Sequence, residues 1–228
     1  MGMGKKLYIL ISGVVVVILI VLITVWIYFK PFVFVSIDVN PSVELSVNKF
    51  GRVIEVEAKN DQGLDILEEI EKDLKNETIE DAVTSVIDVL INEGYFDIED
   101  TADIIVAAYS KDIQDADALI VKLKELIKNK IESEGYFARI DGITVGREVF
   151  EEAEDMGVSP GKLDLIQDVI ENSSNQGSTR TVEDLIDMPV NEIINLPYDG
   201  SYENEETEDE SEEEPEEDEE DEFEEDDD

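Results

Sequence analysis

The sequence has no cysteine and no histidine, and only 17 lysines and arginines stand against 60 aspartates and glutamates. The first two absences remove disulfides, thiol nucleophiles, Ser-His-Asp triads and zinc sites built on Cys or His. The shortage of bases gives a formal charge of −43, which excludes an ordinary nucleic-acid binder, because the chain repels polyanions. No cofactor and no metal ion is expected. Lack of cysteine does not fix the compartment, since 228 residues are enough to bury a core without cross-links.

One long apolar run is present. Leu7 to Phe29 carries no charge and as a helix would reach about 34 Å, enough for a hydrocarbon core of about 30 Å. It is too long for a signal-peptide core, and no small-residue cleavage pattern follows it. Lys5 and Lys6 precede it and Lys30 alone follows closely, so the positive-inside rule puts the N-terminus in the cytoplasm. The expected location is the cell membrane, with a single pass, a cytoplasmic stub at residues 1–6 and the bulk of the chain extracytoplasmic.

Beyond the anchor, Phe32 to Val39 alternates with β-branched residues and reads as a strand. Asn40-Pro41 interrupts it, Ser42 to Val47 resumes as a second strand, and Arg52 to Ala58 alternates as a third after the turn residues Asn48 to Gly51. This is an antiparallel meander. Asn60 to Gly63 reads as a break before the helical stripe Leu64, Leu67, Ile70 and Leu74. Thr78 to Asp81 has capping-box form ahead of a helix ending at Gly94. Thr101 to Tyr109 suits a buried strand, Ser110 can cap the next helix, and Ala138 to Val145 reads as a further strand.

Glu93-Gly94-Tyr95-Phe96 and Glu134-Gly135-Tyr136-Phe137 repeat one design, with glycine closing a helix and the aromatics expected in the core. Arg147 to Met156 and a helix opened by Ser159-Pro160 form a helical appendix. Asn172 to Thr179 reads as a linker before two short helices. From Ser201 onward there are 21 acids and no base, a composition expected to remain disordered. The expected organisation is a stub at 1–6, a transmembrane helix at 7–29, an α/β domain at 32–146, a helical appendix and linker at 147–197, and an acidic tail at 198–228.

The stretch from Val35 to Ile54, with Ser36-Ile37-Asp38-Val39-Asn40-Pro41-Ser42-Val43-Glu44 at its centre, resembles the extracytoplasmic start of the bacterial anti-sigma-I factors. The likeness continues through the paired Glu-Gly-Tyr-Phe units, Gly142 to Val145 and Gly157 to Lys162. It implies an αβα-type middle domain, self-cleavage between Asn40 and Pro41, and regulated proteolysis that frees a sigma factor. The family's sigma-binding domain precedes the membrane helix, where residues 1–6 stand here. The implied output partner is therefore a separate cytoplasmic sigma factor or anti-sigma protein, with membrane proteases acting on the released anchor.

Asn followed by Pro has its own chemistry. Proline supplies no backbone N–H, so the usual succinimide route is closed and attack of the Asn40 side-chain nitrogen on its own carbonyl competes. Asp38 and Ser42 stand close enough in sequence to assist. The same dipeptide also serves as a plain turn between strands. With the turn intact, the chain reads as a structural or adhesive surface module whose acidic tail meets cell-wall components. No nucleophile and base pair for a turnover enzyme is visible. Asp97-Ile98-Glu99-Asp100 lacks the spacing of a calcium loop.

Overall fold

The computed structural model describes residues 3–99, 101–174 and 180–196. The expected acidic tail at 198–228 lies outside the described residues; of the linker expected at 172–179, residues 172–174 instead end a helix, and residues 175–179 lie outside the described residues. Helix α1 (Met3–Tyr28) is followed by strands β1 (Pro31–Asp38), β2 (Ser42–Asn48) and β3 (Val53–Ala58). Helices α2 (Asp61–Leu74) and α3 (Ile79–Asn92) precede β4 (Thr101–Ser110), α4 (Ile113–Ser133) and β5 (Phe137–Thr144). Four helices complete the order: α5 (Arg147–Met156), α6 (Pro160–Ser174), α7 (Val182–Leu185) and α8 (Val190–Ile194).

Within α1, Leu10–Tyr28 is long and apolar enough to cross a membrane. The meander forms as the alternation predicts, and its first strand then becomes interior. The sheet order is β3-β2-β1-β4-β5, because β4 adds antiparallel to the free edge of β1, with Val33 opposite Ser110 and Asp38 opposite Ile105. β5 joins β4 in parallel, and the crossover this requires is α4.

One face of the sheet is apolar. Val35, Ile37, Leu45, Ile104 and Val106 meet the stripes of α2, α3 and α4 in the main core. Thr78 caps α3 as its sequence predicts, accepting from the Asp81 N–H at 3.2 Å while its hydroxyl donates to the Asp81 carboxylate at 2.7 Å. The helix break expected at Asn60 to Gly63 is instead the start of α2, with Asn60 as its cap. Ser110 does not cap α4: it ends β4, and Asp112 accepts the Gln114 N–H at 3.1 Å. The aromatic repeat also diverges. Phe96 is buried, whereas Phe137 is 63% exposed, because it opens an edge strand one residue after the helix turn and points away from the core.

The other face is covered by the segment read as an appendix. Ile105 of β4 packs with Leu165, Ile166 and Val169 of α6 and with Leu185, Val190 and Ile193. Ala107, Tyr109 and Phe150 form a neighbouring cluster, with the Tyr109 and Phe150 rings stacked at 4.3 Å. α5 to α8 are thus the second helical layer of the αβα sandwich. On β1 and β2 this covered face is polar: Ser36, Asp38, Ser42, Glu44, Ser46 and Asn48 are all buried. Buried polar groups demand partners, and the site described next is built from theirs.

Candidate functional site

β1 and β2 are joined by three residues. Asp38 lies opposite Ser42 at the last pair of the ladder, leaving Val39, Asn40 and Pro41 to reverse the chain. The Val39 N–H donates to the Pro41 carbonyl at 2.9 Å and closes the loop. The turn forces Asn40 to φ +76°. Asparagine tolerates this left-handed region better than most residues, but a residue before proline is pushed toward extended, negative-φ backbone. Asn40 is under both demands and follows the turn's, at a strain of about 1–3 kcal/mol.

The structure puts Asp38 on the buried polar face of β1 and Asn40 in the loop. Asp38 Oδ2 accepts from the Ser36 hydroxyl at 3.1 Å, and Oδ1 has no partner among the described residues. Burial raises the Asp38 pKa above the ordinary carboxylate range, against the opposing pull of the Ser159, Ser42 and Ser36 hydroxyls and the Lys162 charge. α6 approaches so closely that a Cβ on Gly161 would lie 2.9 Å from Asp38 Oδ2. Ser159, Gly161 and Lys162, from the Gly157 to Lys162 stretch, thus surround the carboxyl of a residue more than a hundred positions earlier.

Sequence reasoning missed Asn60. Its Oδ1 accepts from the Gly63 N–H at 2.7 Å, as a helix cap does, and also from the Ser42 N–H at 3.0 Å. Its Nδ2 donates to Asn40 Oδ1 at 3.3 Å. One side chain therefore ties the start of α2 to both sides of the Asn40-Pro41 turn. An asparagine ahead of a helical stripe is a capping signal, and that signal was available in the sequence.

The fit is tight. A Cβ on Gly63 would lie 2.2 Å from the Ser42 carbonyl oxygen. Gly63→Ala should push the first turn of α2 off the β1–β2 turn and cost about 1–3 kcal/mol, read as a lowered urea midpoint.

A second polar group lies further along β2. Lys59 Nζ stands 2.6 Å from Glu154, 3.1 Å from Glu57 and 3.6 Å from Glu44. Burial carries the Glu44 pKa up to about 8, with Lys59 pulling it down and Glu154 and Glu57 pushing it up. Burial pulls the Lys59 pKa down, but the surrounding carboxylates outweigh it and the ammonium is held above its ordinary value. Oxygens of Glu44, Glu57 and Glu154 lie close enough together to hold a metal ion. Lys59 already supplies a cation among them. Asp97 and Glu99 belong to an exposed turn, where Asp97 Oδ1 accepts the Glu99 N–H at 2.9 Å; Asp100 lies outside the described residues.

The model of the anti-sigma factor RsgI-like central domain matches residues 32–168, well over half of the chain, and the chain belongs to that family. Anti-sigma-I factor RsgI7 of Acetivibrio thermocellus is 28% identical over 176 residues, covering 75% of this chain and 30% of that protein. Anti-sigma-I factor RsgI4 of the same organism is 27% identical over 179 residues, covering 77% of this chain and 33% of that protein. Anti-sigma-I factor RsgI of Bacillus anthracis is 34% identical over 99 residues, covering 43% and 22%. The chain thus spans a third or less of each of these relatives. The family match extends past residue 146 into α6, in keeping with α5 and α6 being a layer of the same sandwich.

Proposed function

We propose that the chain is a single-pass membrane regulator of the anti-sigma type and that it cuts itself between Asn40 and Pro41. The regulatory role rests on the family and on the names of the relatives. The cleavage rests on one observation above all: a positive-φ asparagine directly before proline, in a closed three-residue turn, with its side-chain oxygen gripped by Asn60. In the reaction a bond forms between Asn40 Nδ2 and the Asn40 carbonyl carbon. The bond from that carbon to the Pro41 nitrogen breaks, and the proton leaving Nδ2 ends on that nitrogen. The products are a C-terminal succinimide on residues 1–40 and a free proline terminus on the remainder.

Each neighbour has a part in this reading. The hydrogen bond from Asn60 to Oδ1 turns Nδ2 away from α2 and draws electron density toward the oxygen, so the amide proton is more readily lost. Asp38 and Ser42 pair at the base of the loop, and in this reading they assist proton movement. Proximity and orientation of this sort are worth several kcal/mol of barrier, roughly up to 7–11 in the best intramolecular cases. Asn60→Ala should slow cleavage at least tenfold and also remove a helix cap worth about 1 kcal/mol. Asn60→Asp, which keeps the cap but not the donor to Asn40, separates the two effects in a time course of fragment formation.

After the cut, β1 remains in the middle of the sheet between β2 and β4, held by strand pairing and core packing with no covalent link. In the proposed orientation, with residues 1–6 inside and the domain outside, pulling on β1 separates the anchor from the domain. Membrane proteases then act on the anchor, and a cytoplasmic sigma factor or anti-sigma protein carries the output. Intact mass of the full chain under denaturing conditions tests this. Two species, residues 1–40 and 41–228, are expected. A single chain returns Asn40-Pro41 to a structural turn and favours a surface module, structural or adhesive, that meets cell-wall components.

A further inference from the structure

The end of the sheet opposite the Asn40 turn is unlike the rest of the molecule. It gathers the start of β1, the β2–β3 turn and the end of β4, as the pairs Pro31 with Asn48 and Val33 with Ser110 require. In a chain of net charge −43, these segments expose Lys30, Lys49 and Lys111. Among the described residues none of the three forms an ion pair. Lys30 lies over the Trp26 ring at 4.9 Å. The cations at the far end, by contrast, face carboxylates, as Lys59 and Arg139 do.

The same end exposes large apolar side chains. Phe29 is 66% exposed, Phe50 59% and Ile113 65%. Such a cluster ringed by unpaired lysines is the pattern of a surface that meets a bilayer interface, aromatics at headgroup depth and ammonium groups among phosphates. Between the three lysines lies a cleft of about 370 Å³ that Trp26, Phe34 and Tyr109 also line. Of the acids at this end, Asp112 caps α4 with its carboxylate.

The helix and this surface are also locked together. The Asn48 amide donates to the Tyr28 carbonyl at 2.9 Å, and its oxygen accepts the Phe50 and Arg52 N–H groups at 2.8 and 3.0 Å. The Phe50 ring stacks on Tyr28 at 6.0 Å, and the Tyr28 hydroxyl bonds Asn76. A buried asparagine thus fixes the turn carrying Lys49 and Phe50 to the last turn of α1.

We infer that this base of the outer domain is a binding surface for anionic lipid, with Lys30, Lys49 and Lys111 on headgroup phosphates and Phe29, Phe50 and Ile113 in the interface. The inference rests on α1 crossing the bilayer, as proposed above. It sets the domain upright, with the Asn40 turn roughly 30 Å above the surface, since β1 runs from one end to the other. The domain would then travel with the lipid surface rather than swing freely on its anchor.

The absence of cysteine allows single labels. Phe50→Cys, Ile113→Cys and, at the far end, Asp97→Cys would each carry a spin label on the full chain with Asn40→Ala, which keeps the domain covalently joined to α1. The chain would be reconstituted in vesicles of phosphatidylcholine with or without about a third phosphatidylglycerol. Accessibility to oxygen and to a water-soluble nickel complex is then compared. Labels at 50 and 113 should favour oxygen over nickel at least threefold more than the label at 97 in anionic vesicles. Lys49→Glu with Lys111→Glu should abolish that preference while leaving the circular dichroism unchanged. Labels at 50 and 113 as wet as that at 97, in a chain that resists carbonate extraction, overturn the lipid surface alone. The same contact in neutral vesicles overturns the role of the lysines, and a chain released by carbonate overturns the membrane reading and this inference together.

Discussion

Asn40→Ala should leave a single chain where the wild-type protein yields two, with no loss of folded structure. The side chain that supplies the attacking nitrogen is gone, and no neighbour can replace it, because the five-membered ring of the product requires the nitrogen of that residue. Denaturing mass spectrometry reads the outcome directly. In the wild type the N-terminal fragment should be lighter by one water than a hydrolysed terminus, which separates cyclisation from cutting by a contaminating protease. Asn40→Asp discriminates further: it retains the turn but offers a carboxylate in place of the amide nitrogen, so succinimide formation stops. Pro41→Ala should restore the backbone N–H and relieve the restriction on Asn40, lowering cleavage at least tenfold while opening the ordinary deamidation route.

Under native conditions the two fragments should remain together. β1 is flanked on both edges, and its residues Val33, Val35 and Ile37 lie in the main core. Withdrawing them would expose about 1.5–3 kcal/mol of burial for each large side chain. The covalent break removes none of that packing, so cleavage and separation are distinct events, and a supply of force or unfolding is needed for the second.

The parts of this arrangement that the sequence made legible are the locally coded ones. β1 to β3 follow from alternation and turn residues. α3 and α4 follow from their apolar stripes, and positive φ at Gly94, Gly135 and Gly157 marks the helix ends where glycine stands. The αβα type follows from the resemblance carried by Val35 to Ile54, not from the order of elements.

The covered polar face could not be read in the same way. Ser36, Asp38, Ser42 and Glu44 alternate with Val35, Ile37, Val43 and Leu45, and an alternating antiparallel strand ordinarily turns its polar side to water. Only the docking of α5 and α6 buries that side, and docking is encoded by residues more than a hundred positions away. For the same reason α5 to α8 read as an appendix. Asn60 is hard to read because the polar run Asn60 to Gly63 suits a break as well as a cap, and the Lys59 cluster because Glu154 enters from a different helix. Ion pairs between distant segments leave no periodic trace in a single sequence.

That cluster supports the second large prediction, a pH dependence of stability with a definite sign. The folded protein keeps the Glu44 proton until about pH 8, whereas the unfolded chain releases it near its usual 4.5. Across that interval the folded state binds more protons, so stability should fall as pH rises and level off above 8. The slope from this residue is at most about 1.4 kcal/mol per pH unit. Glu44→Gln should flatten it, with the largest gain over wild type at and above pH 8, in urea unfolding of residues 31–196 carrying Asn40→Ala.

Lys59→Met should do the opposite. It removes the cation that Glu44, Glu57 and Glu154 share and leaves Glu44, 3% exposed, with a buried charge whenever it ionises. The loss should be larger at pH 8.5 than at pH 5, where Glu44 is protonated and Glu57 and Glu154 can turn to solvent, and because wild-type Glu44 ionises only near pH 8 the difference should be about 1 kcal/mol. A double variant with both substitutions should recover much of that loss at high pH, because the buried charge needing the lysine is then absent. Equal losses for Lys59→Met at pH 5 and pH 8.5 would mean that packing of the lysine stem, and not the charge on Glu44, is what holds β2 to α5.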